Sequence, residues 1–506
     1  MTAIEPGRVV AVVGTGTMGQ GIAQVALVAG HPVRLYDAVP GRAEQAATTL
    51  AGRLDRLVEK GRLDAAARDA ACSRLHPARD LTELADAALV VEAVLEELSV
   101  KRDLFAALED IVADDCLLAT NTSSLSVTAV AGALRHPGRF VGLHFFNPAP
   151  LLPLVEVVSG FATDETAAER AHATALAWGK TPVRCADTPG FVVNRVARPF
   201  YAEALRVYEE RAADPATIDA VLRECGGFRM GPFELTDLIG QDVNEAVTRS
   251  VWESFFQDPK FTPSLAQRRL VESGRLGRKS GRGWYAYGED APGAAAHTAE
   301  PEKAPASITV RGELFAADAL PALIEEAGIV VIREDDAVPG YPGWIELSDG
   351  TRLFLADGSA ADDVGMPVIH FDLALDYRDA TRIALAPAAG VAGTALKEAI
   401  GLFQALGKDV SVIGDIPGLI VARTVAMLVD FALDAAARRV AAPEDIDLAM
   451  RLGVNYPRGP LDWGDRLGAR WALDTLDALH EEYPTGRYAP SQALRRLAAA
   501  QEDDAS

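Results

Sequence analysis

The chain has 506 residues, 49% hydrophobic and 24% charged, the balance of a globular protein with length for about three domains. Its 72 acidic and 49 basic residues leave a net charge of −23, which argues against general binding to nucleic acid or to anionic membranes. Cys72, Cys116, Cys185 and Cys225 are widely spaced with no CxxC pair, so neither a disulfide framework nor a metal site is expected. The start MTAIEPGRVV lacks a secretory pattern and no apolar run is long enough to span a bilayer, so a cytoplasmic location is expected.

An apolar run, Val9 to Val13, enters Gly14-Thr15-Gly16-Thr17-Met18-Gly19, and a small-residue helix is expected from Gly21 towards Ala29. Strand, GxGxxG turn and helix together form the dinucleotide fingerprint in its required context. Gly14 suits the tight turn, Gly16 lets backbone N–H groups approach a pyrophosphate, and Gly19 lets helix and strand pack closely. Asp37 ends the second strand, where a carboxylate accepts from an adenosine ribose and repels a 2′-phosphate, so NAD is favoured over NADP. A basic, Ala-rich helical stretch follows from Gly41 to about Arg79, and Arg53, Arg56, Lys60 and Arg62 read as its solvated face.

Further on, LADAALVVEAVLEELSVKRDLFAAL implies a buried strand at Leu89 to Val91, a charged turn around Glu92 and Glu96, and a helix. CLLATNTSSLSV gives another strand running into a polar loop at Asn121 to Ser124. Ligands of open α/β sheets sit beyond the carboxyl ends of strands, where these loops fall. From Phe140 to Gly160, two apolar runs flank the turn Asn147-Pro148-Ala149-Pro150, with His144 on one run and Glu156 on the next. A histidine held by a carboxylate has a fixed tautomer and a stabilised imidazolium, as a general base for a hydroxyl proton requires. Read alone, a histidine placed like His144 is more often a satisfied core residue, while Ser123 fits a loop or capping hydroxyl and Asn194 a helix-start residue after Pro189-Gly190.

VVGTGTMGQGIA, VVEAVLEELSVK, TNTSSLS, GLHFFNPAP, LVEVVSG and DTPGFVVNR, in this order and spacing, resemble the L-3-hydroxyacyl-CoA dehydrogenases. Within that family the resemblance is to the bacterial 3-hydroxyadipyl-CoA and 3-hydroxybutyryl-CoA dehydrogenases of phenylacetate breakdown. It is detailed from about Val9 to Tyr287 and fainter beyond. The resemblance implies NAD-dependent oxidation of a 3-hydroxyacyl-CoA, with His144 as base, Glu156 as its orienting partner, and Ser123 and Asn194 on the substrate oxygen. It implies a cofactor site lined by Glu96, Lys101, Ser123, Asn147 and, from RLGRKSGRGWY, Lys279, besides Gly14, Gly16, Thr17, Met18, Gly19 and Asp37. Where the family commonly carries a lysine three residues before the glutamate, this chain has Pro153, which removes a charge and a donor and suits an edge or strand start. Coenzyme A contacts stay open, with Arg53, Arg56 and Lys60 as candidates. An acidic substrate tail would call for a cation such as Arg195, Arg198 or Arg229. Two other readings fit the same pattern: a dehydrogenase of a free hydroxy acid of the gulonate or carnitine type, and a non-enzymatic NAD-binding protein.

The second half repeats part of the first. Gly179-Lys180, Asp187, Pro189-Gly190, Arg195, Asp219, Gly231-Pro232, Asp237 and Gly240 recur 228 positions later as Gly407-Lys408, Asp415, Pro417-Gly418, Arg423, Asp447, Gly459-Pro460, Asp465 and Gly468. A helical domain has been duplicated. At that spacing Asn194 becomes Ala422, Glu156 becomes Ala384 and His144 becomes Asp372, while His370 is out of register. The expected order is a Rossmann-type α/β NAD-binding domain (1–186), an all-α domain (187–288), a linker (289–305), a degenerate α/β segment (306–406) and a second, non-catalytic all-α domain (407–506). SITV, GIVVI, PVIHF and RIAL mark strands of the degenerate segment, which lacks GxGxxG and is expected to hold no second NAD. The second helical domain is expected to pack on the first as an intrachain pseudo-dimer, with further oligomerisation left open.

Overall fold

The structure is a computed structural model of the chain that describes residues 2–288, 291, 293–334 and 342–505. Glu289, Asp290 and Pro292 of the expected linker lie outside the described residues. The chain divides into two compact units, one of Met1–Arg195 with Ala435–Val454, the other of Val196–Asp434 with Asn455–Ser506.

The first unit is built on eight strands: β1 (Val9–Val13), β2 (Val33–Tyr36), β3 (Leu75–Pro77), β4 (Ala87–Glu92), β5 (Leu117–Thr120), β6 (Phe140–Phe145), β7 (Leu154–Ser159) and β8 (Thr181–Ala186). They lie in the order β3-β2-β1-β4-β5-β6-β7-β8, and every neighbouring pair is parallel except β6 and β7. β1 and β4 read as near-continuous apolar runs because both faces are covered, and Val10, Val12, Leu89 and Val91 are fully buried. The first helix runs Thr17–Val28, starting four residues before the expected Gly21. The stretch read as one helix from Gly41 to Arg79 is two, Arg42–Glu59 and Ala65–Ser73. Gly61 at φ +64° breaks it, and the Asp64 side chain caps the restart by accepting from Ala67 N. Pro153 stands immediately before β7, where a missing N–H costs no ladder bond.

Residues 435–454, inside the span expected to be the second helical domain, cluster with this unit. Ala186 N donates to Val440 O at 2.8 Å. A Cβ on Gly453 would stand 2.7 Å from a Leu154 methyl and 3.0 Å from a Val193 methyl, so the helix Pro443–Gly453 meets the start of β7 at close range.

The second unit holds the helices Arg198–Glu209, Pro215–Glu224, Pro232–Ile239, Gln241–Ser254 and Leu265–Glu272. A second sheet follows: β9 (Ser307–Arg311), β10 (Val330–Glu334), β11 (Trp344–Glu346), β12 (Arg352–Leu355), β13 (Val368–Phe371), β14 (Arg382–Pro387) and β15 (Asp409–Val412). Its order is β10-β9-β11-β12-β13-β14-β15. β14 repeats β7 residue for residue at the 228-residue spacing, and β13 and β15 begin at the positions of β6 and β8. The pairing repeats too, antiparallel from β13 to β14 and parallel from β14 to β15. Elsewhere β11 lies antiparallel between β9 and β12, an arrangement the first sheet lacks.

The duplication is written in the backbone as well. The left-handed residues Phe191 (φ +50°), Arg211 (+62°) and Gly227 (+74°) recur as Leu419 (+46°), Arg439 (+56°) and Asn455 (+54°). Side chains other than glycine rarely hold this conformation, so its return at three equivalent positions goes beyond shared sequence.

Candidate active site

The fingerprint turn takes the form its glycines were assigned. Gly14 has φ +98°, and a Cβ there would stand 2.5 Å from Ala93 O; one on Gly19 would stand 1.8 Å from Gly14 O. At Gly16 a Cβ would meet nothing within 4 Å, which leaves one side of the turn open. The helix Thr17–Val28 has no side-chain cap, so its first N–H groups, near exposed Thr17 and half-buried Met18, are free for an anion. Asp37 Oδ2 accepts from Thr15 N at 3.0 Å and Thr15 Oγ1 at 2.6 Å, and Oδ1 accepts from Val39 N at 3.0 Å. Burial pulls the Asp37 carboxyl up, but these hydrogen bonds and the nearby Arg42 outweigh it and hold the carboxyl below its usual range. An ionised carboxylate has lone pairs to spare for ribose hydroxyls. Open turn, uncapped helix and acidic strand end together fit a dinucleotide with an unphosphorylated ribose.

Beyond β4 and β5 a network of carboxylates sets the next loops. Glu92, fully buried at the end of β4, accepts from Lys101 Nζ at 2.6 Å, Val94 N at 2.7 Å and Thr120 Oγ1 at 2.7 Å. Lys101 is itself 1% exposed and also pairs with Glu96 at 3.2 Å, so its charge is spent inside the protein rather than on an open surface. Glu96 Oε1 collects Thr122 Oγ1 at 2.6 Å, Ser123 N at 2.9 Å, and Ser124 N and Oγ at 3.0 and 2.9 Å. Burial acts upward on the Glu96 carboxyl, but Lys101 and these donors bring it down to about 2. The Ser123 hydroxyl has no hydrogen-bond partner among the described residues. Asn121 Oδ1 accepts from Phe145 N at 2.9 Å, tying this loop to the residue after His144.

His144 and Glu156 face each other directly in the β6–β7 ladder. Nδ1 of His144 lies 2.6 Å from Glu156 Oε2. The other carboxylate oxygen accepts from Val192 N at 3.1 Å and Val193 N at 2.9 Å, so one buried carboxylate orients the imidazole and anchors the helix Val193–Val196, whose second residue is Asn194. The imidazole is flanked by the rings of Phe146 and Phe191, and its Nε2 has no protein partner among the described residues. With the acidic partner on Nδ1, Nε2 is the atom left to exchange a proton.

All of the sequence-derived site residues except Lys279 fall in the first unit. Asn147 is exposed on the turn after β6. Lys279 belongs to the second unit, where its Nζ pairs with Asp242 at 2.6 Å. Arg53, Arg56 and Lys60 lie on the solvent side of their helix or just past its end. Glu92, Thr15 and Asn121 are missing from the sequence-derived set. For Glu92 a signal existed, a lone carboxylate closing an otherwise apolar strand; the other two act through hydrogen bonds that no spacing rule marks.

The 3-hydroxyacyl-CoA dehydrogenase NAD-binding domain profile matches residues 9–188, and that of the family's C-terminal domain matches 190–287 and again 418–504. A third profile, the 3-hydroxybutyryl-CoA dehydrogenase reduced Rossmann-fold domain, matches residues 346–417. The chain belongs to the 3-hydroxyacyl-CoA dehydrogenase family of NAD-dependent oxidoreductases. It is 44% identical over 491 residues, 97% of each chain, to the 3-hydroxyadipyl-CoA dehydrogenase of Escherichia coli K12. A crystal structure titled 3-hydroxybutyryl-CoA dehydrogenase from Escherichia coli K12 superposes with a TM-score of 0.89 at 42% identity, covering 99% of this chain and all of that one. The 3-hydroxybutyryl-CoA dehydrogenase of Mycobacterium tuberculosis H37Rv is 41% identical over 280 residues, 98% of its length but 55% of this chain.

Proposed function

We propose that this chain oxidises the hydroxyl of an L-3-hydroxyacyl-CoA, of the 3-hydroxyadipyl or 3-hydroxybutyryl kind, to the 3-keto thioester with NAD. The observation that carries this reading is the buried His144–Glu156 pair at 2.6 Å with Nε2 left unpaired. Nε2 takes the proton of the 3-hydroxyl, and Glu156 stabilises the imidazolium that forms. The Ser123 hydroxyl and the Asn194 amide donate to the substrate oxygen as it becomes a carbonyl. NAD, held by the Gly14–Gly19 turn and Asp37, supplies the hydride acceptor when bound. Glu96 and Lys101 position the Thr122–Ser124 loop, and Asn147 lines the cofactor surroundings.

The domain division 1–186, 187–288, 289–305, 306–406 and 407–506 and a cytoplasmic location are part of the same reading. Among the described residues no helix is long and apolar enough to cross a membrane.

The second helical copy completes a pseudo-dimer with the first. Reciprocal contacts in the second unit support this. Fully buried Glu203 of the first copy accepts from Arg487 Nε at 3.0 Å and Tyr488 Oη at 2.8 Å. Asp430 of the second copy accepts from Lys260 Nζ at 2.5 Å. At the duplication spacing Lys260 corresponds to Tyr488, and Asp430 falls within one residue of Glu203, as an isologous interface requires.

The test is NADH formation from a panel of 3-hydroxyacyl-CoAs by wild type and His144→Ala. Turnover by wild type that falls by about 10²–10⁴-fold in the variant, with NAD still bound, is expected. Absence of turnover of every thioester despite NAD binding would redirect the assignment to free hydroxy acids.

A further inference from the structure

Buried arginines in the second unit follow one pattern with one exception. Arg382 meets Glu224 at 2.8 Å, Arg487 donates to Glu203, and Arg423 stands 3.6 Å from Glu203. Arg198, just as buried at 5% exposure, faces no carboxylate among the described residues. Its guanidinium lies over the Tyr201 ring at 5.0 Å, and one nitrogen donates to Thr248 Oγ1 at 2.9 Å. Its Nε is buried without a partner. A cation taken out of water without an anion costs stability until something supplies the missing charge. Arg195 and Arg229, the other cations named for an acidic group, do not share this arrangement: Arg195 lies in the first unit and is already engaged, and Arg229 is exposed.

The space beside Arg198 lies within the same unit. Arg198, Tyr201 and Arg206 of the helix Arg198–Glu209 line a cavity of about 30 Å³ together with Thr248, Ser264 and Glu209. The hydroxyl protons of Thr248 and Ser264 are committed, one to Asn244 O and the other to Glu209 Oε1, which also accepts from Ala266 N. The Tyr201 hydroxyl makes no hydrogen bond among the described residues, and Arg206 makes no ion pair. Glu203, whose field Arg206 feels, is already held by Arg487 and Arg423. The donors left to the cavity are therefore two guanidiniums and a phenol. Two cations against one acid at its wall leave a single positive charge uncompensated, which one monovalent anion balances and a dianion overshoots. The volume is room for roughly two water-sized groups, hence for a chloride ion or the two oxygens of formate. The second helical copy lacks all three donors: at the 228-residue spacing Arg198, Tyr201 and Arg206 become Ala426, Val429 and Asp434. The arrangement belongs to the first copy and gives one site per chain.

We propose that the first helical copy binds one small monovalent anion, a halide or a carboxylate of formate size, among Arg198, Arg206 and the Tyr201 hydroxyl. The anion stabilises the folded chain by supplying the charge that Arg198 lacks. The experiment follows thermal unfolding of the full chain at fixed ionic strength. Sodium gluconate, whose polyhydroxy chain the cavity does not admit, is replaced stepwise by sodium chloride and, separately, by sodium formate. The wild-type midpoint is expected to rise by about 2 °C along a saturating curve with at least one of the two. A response to chloride identifies a halide site, and a response confined to formate identifies a carboxylate site. Arg198→Met keeps the side-chain bulk without the charge and is expected to lose the response. Tyr201→Phe removes only the phenol donor and is expected to raise the half-saturating concentration by about threefold to tenfold. Should Arg198→Met not fold, the shift in Tyr201→Phe carries the test. A wild-type midpoint that responds to neither salt overturns the proposal. A response of equal size in wild type and the variants overturns it as well, because it marks a general effect of salt on the surface. The thioester reading is independent of either result.

Discussion

The Glu96 side chain is 35% exposed yet carries four hydrogen bonds and an ion pair, and its titration makes that arrangement measurable. Its carboxyl, ordinarily at 4.5, lies at about 2. Being depressed in the folded chain, it contributes stability above the ordinary value, and that contribution disappears as pH falls from 4.5 through about 2. Glu96→Gln removes the charge opposite Lys101 and leaves one oxygen for four donors. The urea midpoint of the variant is therefore expected below that of wild type at pH 7, with the gap narrowing between pH 4.5 and pH 3 as wild type loses the same contribution. A gap of constant size down to pH 3 would contradict an ionic origin. The residue scale is also where sequence reading was most uneven. His144 and Glu156 could be singled out because they interrupt apolar runs, whereas Ser123 was marked only by the family resemblance. Lys101 came from the resemblance alone and its burial from nothing in the sequence, because a lysine nine residues after a strand-ending carboxylate reads as surface charge until the turn folds it back onto Glu92.

Elements with a strong period were legible, and those set by tertiary pairing were not. β1, β4, β6 and β7 were readable from apolar runs bounded by turn residues, and the fingerprint fixed the first helix to within four residues. β11 has three residues and β12 four, too few for any period, and β11 exists because its neighbours in the sheet accept it. Apolar runs marked SITV, GIVVI, PVIHF and RIAL as strands of the second sheet, yet what replaced the chemistry emerged only in three dimensions. Asp372, at the position of His144, accepts from Ile420 N at 3.0 Å and Val421 N at 2.8 Å with one oxygen, and from Ala422 N and Leu373 N with the other. Val192 and Val193, which donate to Glu156, are the counterparts of Ile420 and Val421. The carboxylate has crossed the strand pair: the anchor of the following helix was kept and the imidazole was lost. Burial moves Asp372 up to about 6, so it is ionised at pH 8. Asp372→Ala strands the buried N–H donors of that helix, and a loss of about 3 kcal/mol in unfolding free energy at pH 8 is expected by denaturant titration. NADH formation per folded molecule is expected to stay at the wild-type value, and a variant that folds equally well but turns over slowly would mean that the copy takes part in the chemistry.

At the scale of the whole molecule the duplication raises the question of what the second copy does for the first. The M. tuberculosis relative is matched over 98% of its own length by 55% of this chain, so proteins of this family exist at about half the length of this one. Here buried groups of the first helical copy meet groups of the second. Glu203 is fully buried, and its ion-pair and hydrogen-bond partners, Arg487, Arg423 and Tyr488, all belong to residues past 418, leaving only the field of Arg206 from the first copy. Phe200 and Phe228 pack against Tyr456, and Phe228 also meets Trp463. A chain ending after Pro305 loses every one of these partners at once. An uncompensated buried carboxylate costs about 3–5 kcal/mol, a large part of the stability of an ordinary domain, and the uncovered aromatic face adds an apolar patch that water does not tolerate well. The truncated chain can relieve both only by aggregating or by presenting the same face to a second copy of itself, where the absence of Arg487 and Arg423 leaves Glu203 unpaired. Insoluble protein or a weak dimer, seen by light scattering coupled to size exclusion, is therefore expected. Replacing Glu203 by Leu in the truncated chain removes the charge while keeping the apolar face, and shifts the outcome towards a tighter dimer. A truncated chain that stays monomeric, soluble and as active per site as the full chain would show that the second copy is not the partner that the first requires.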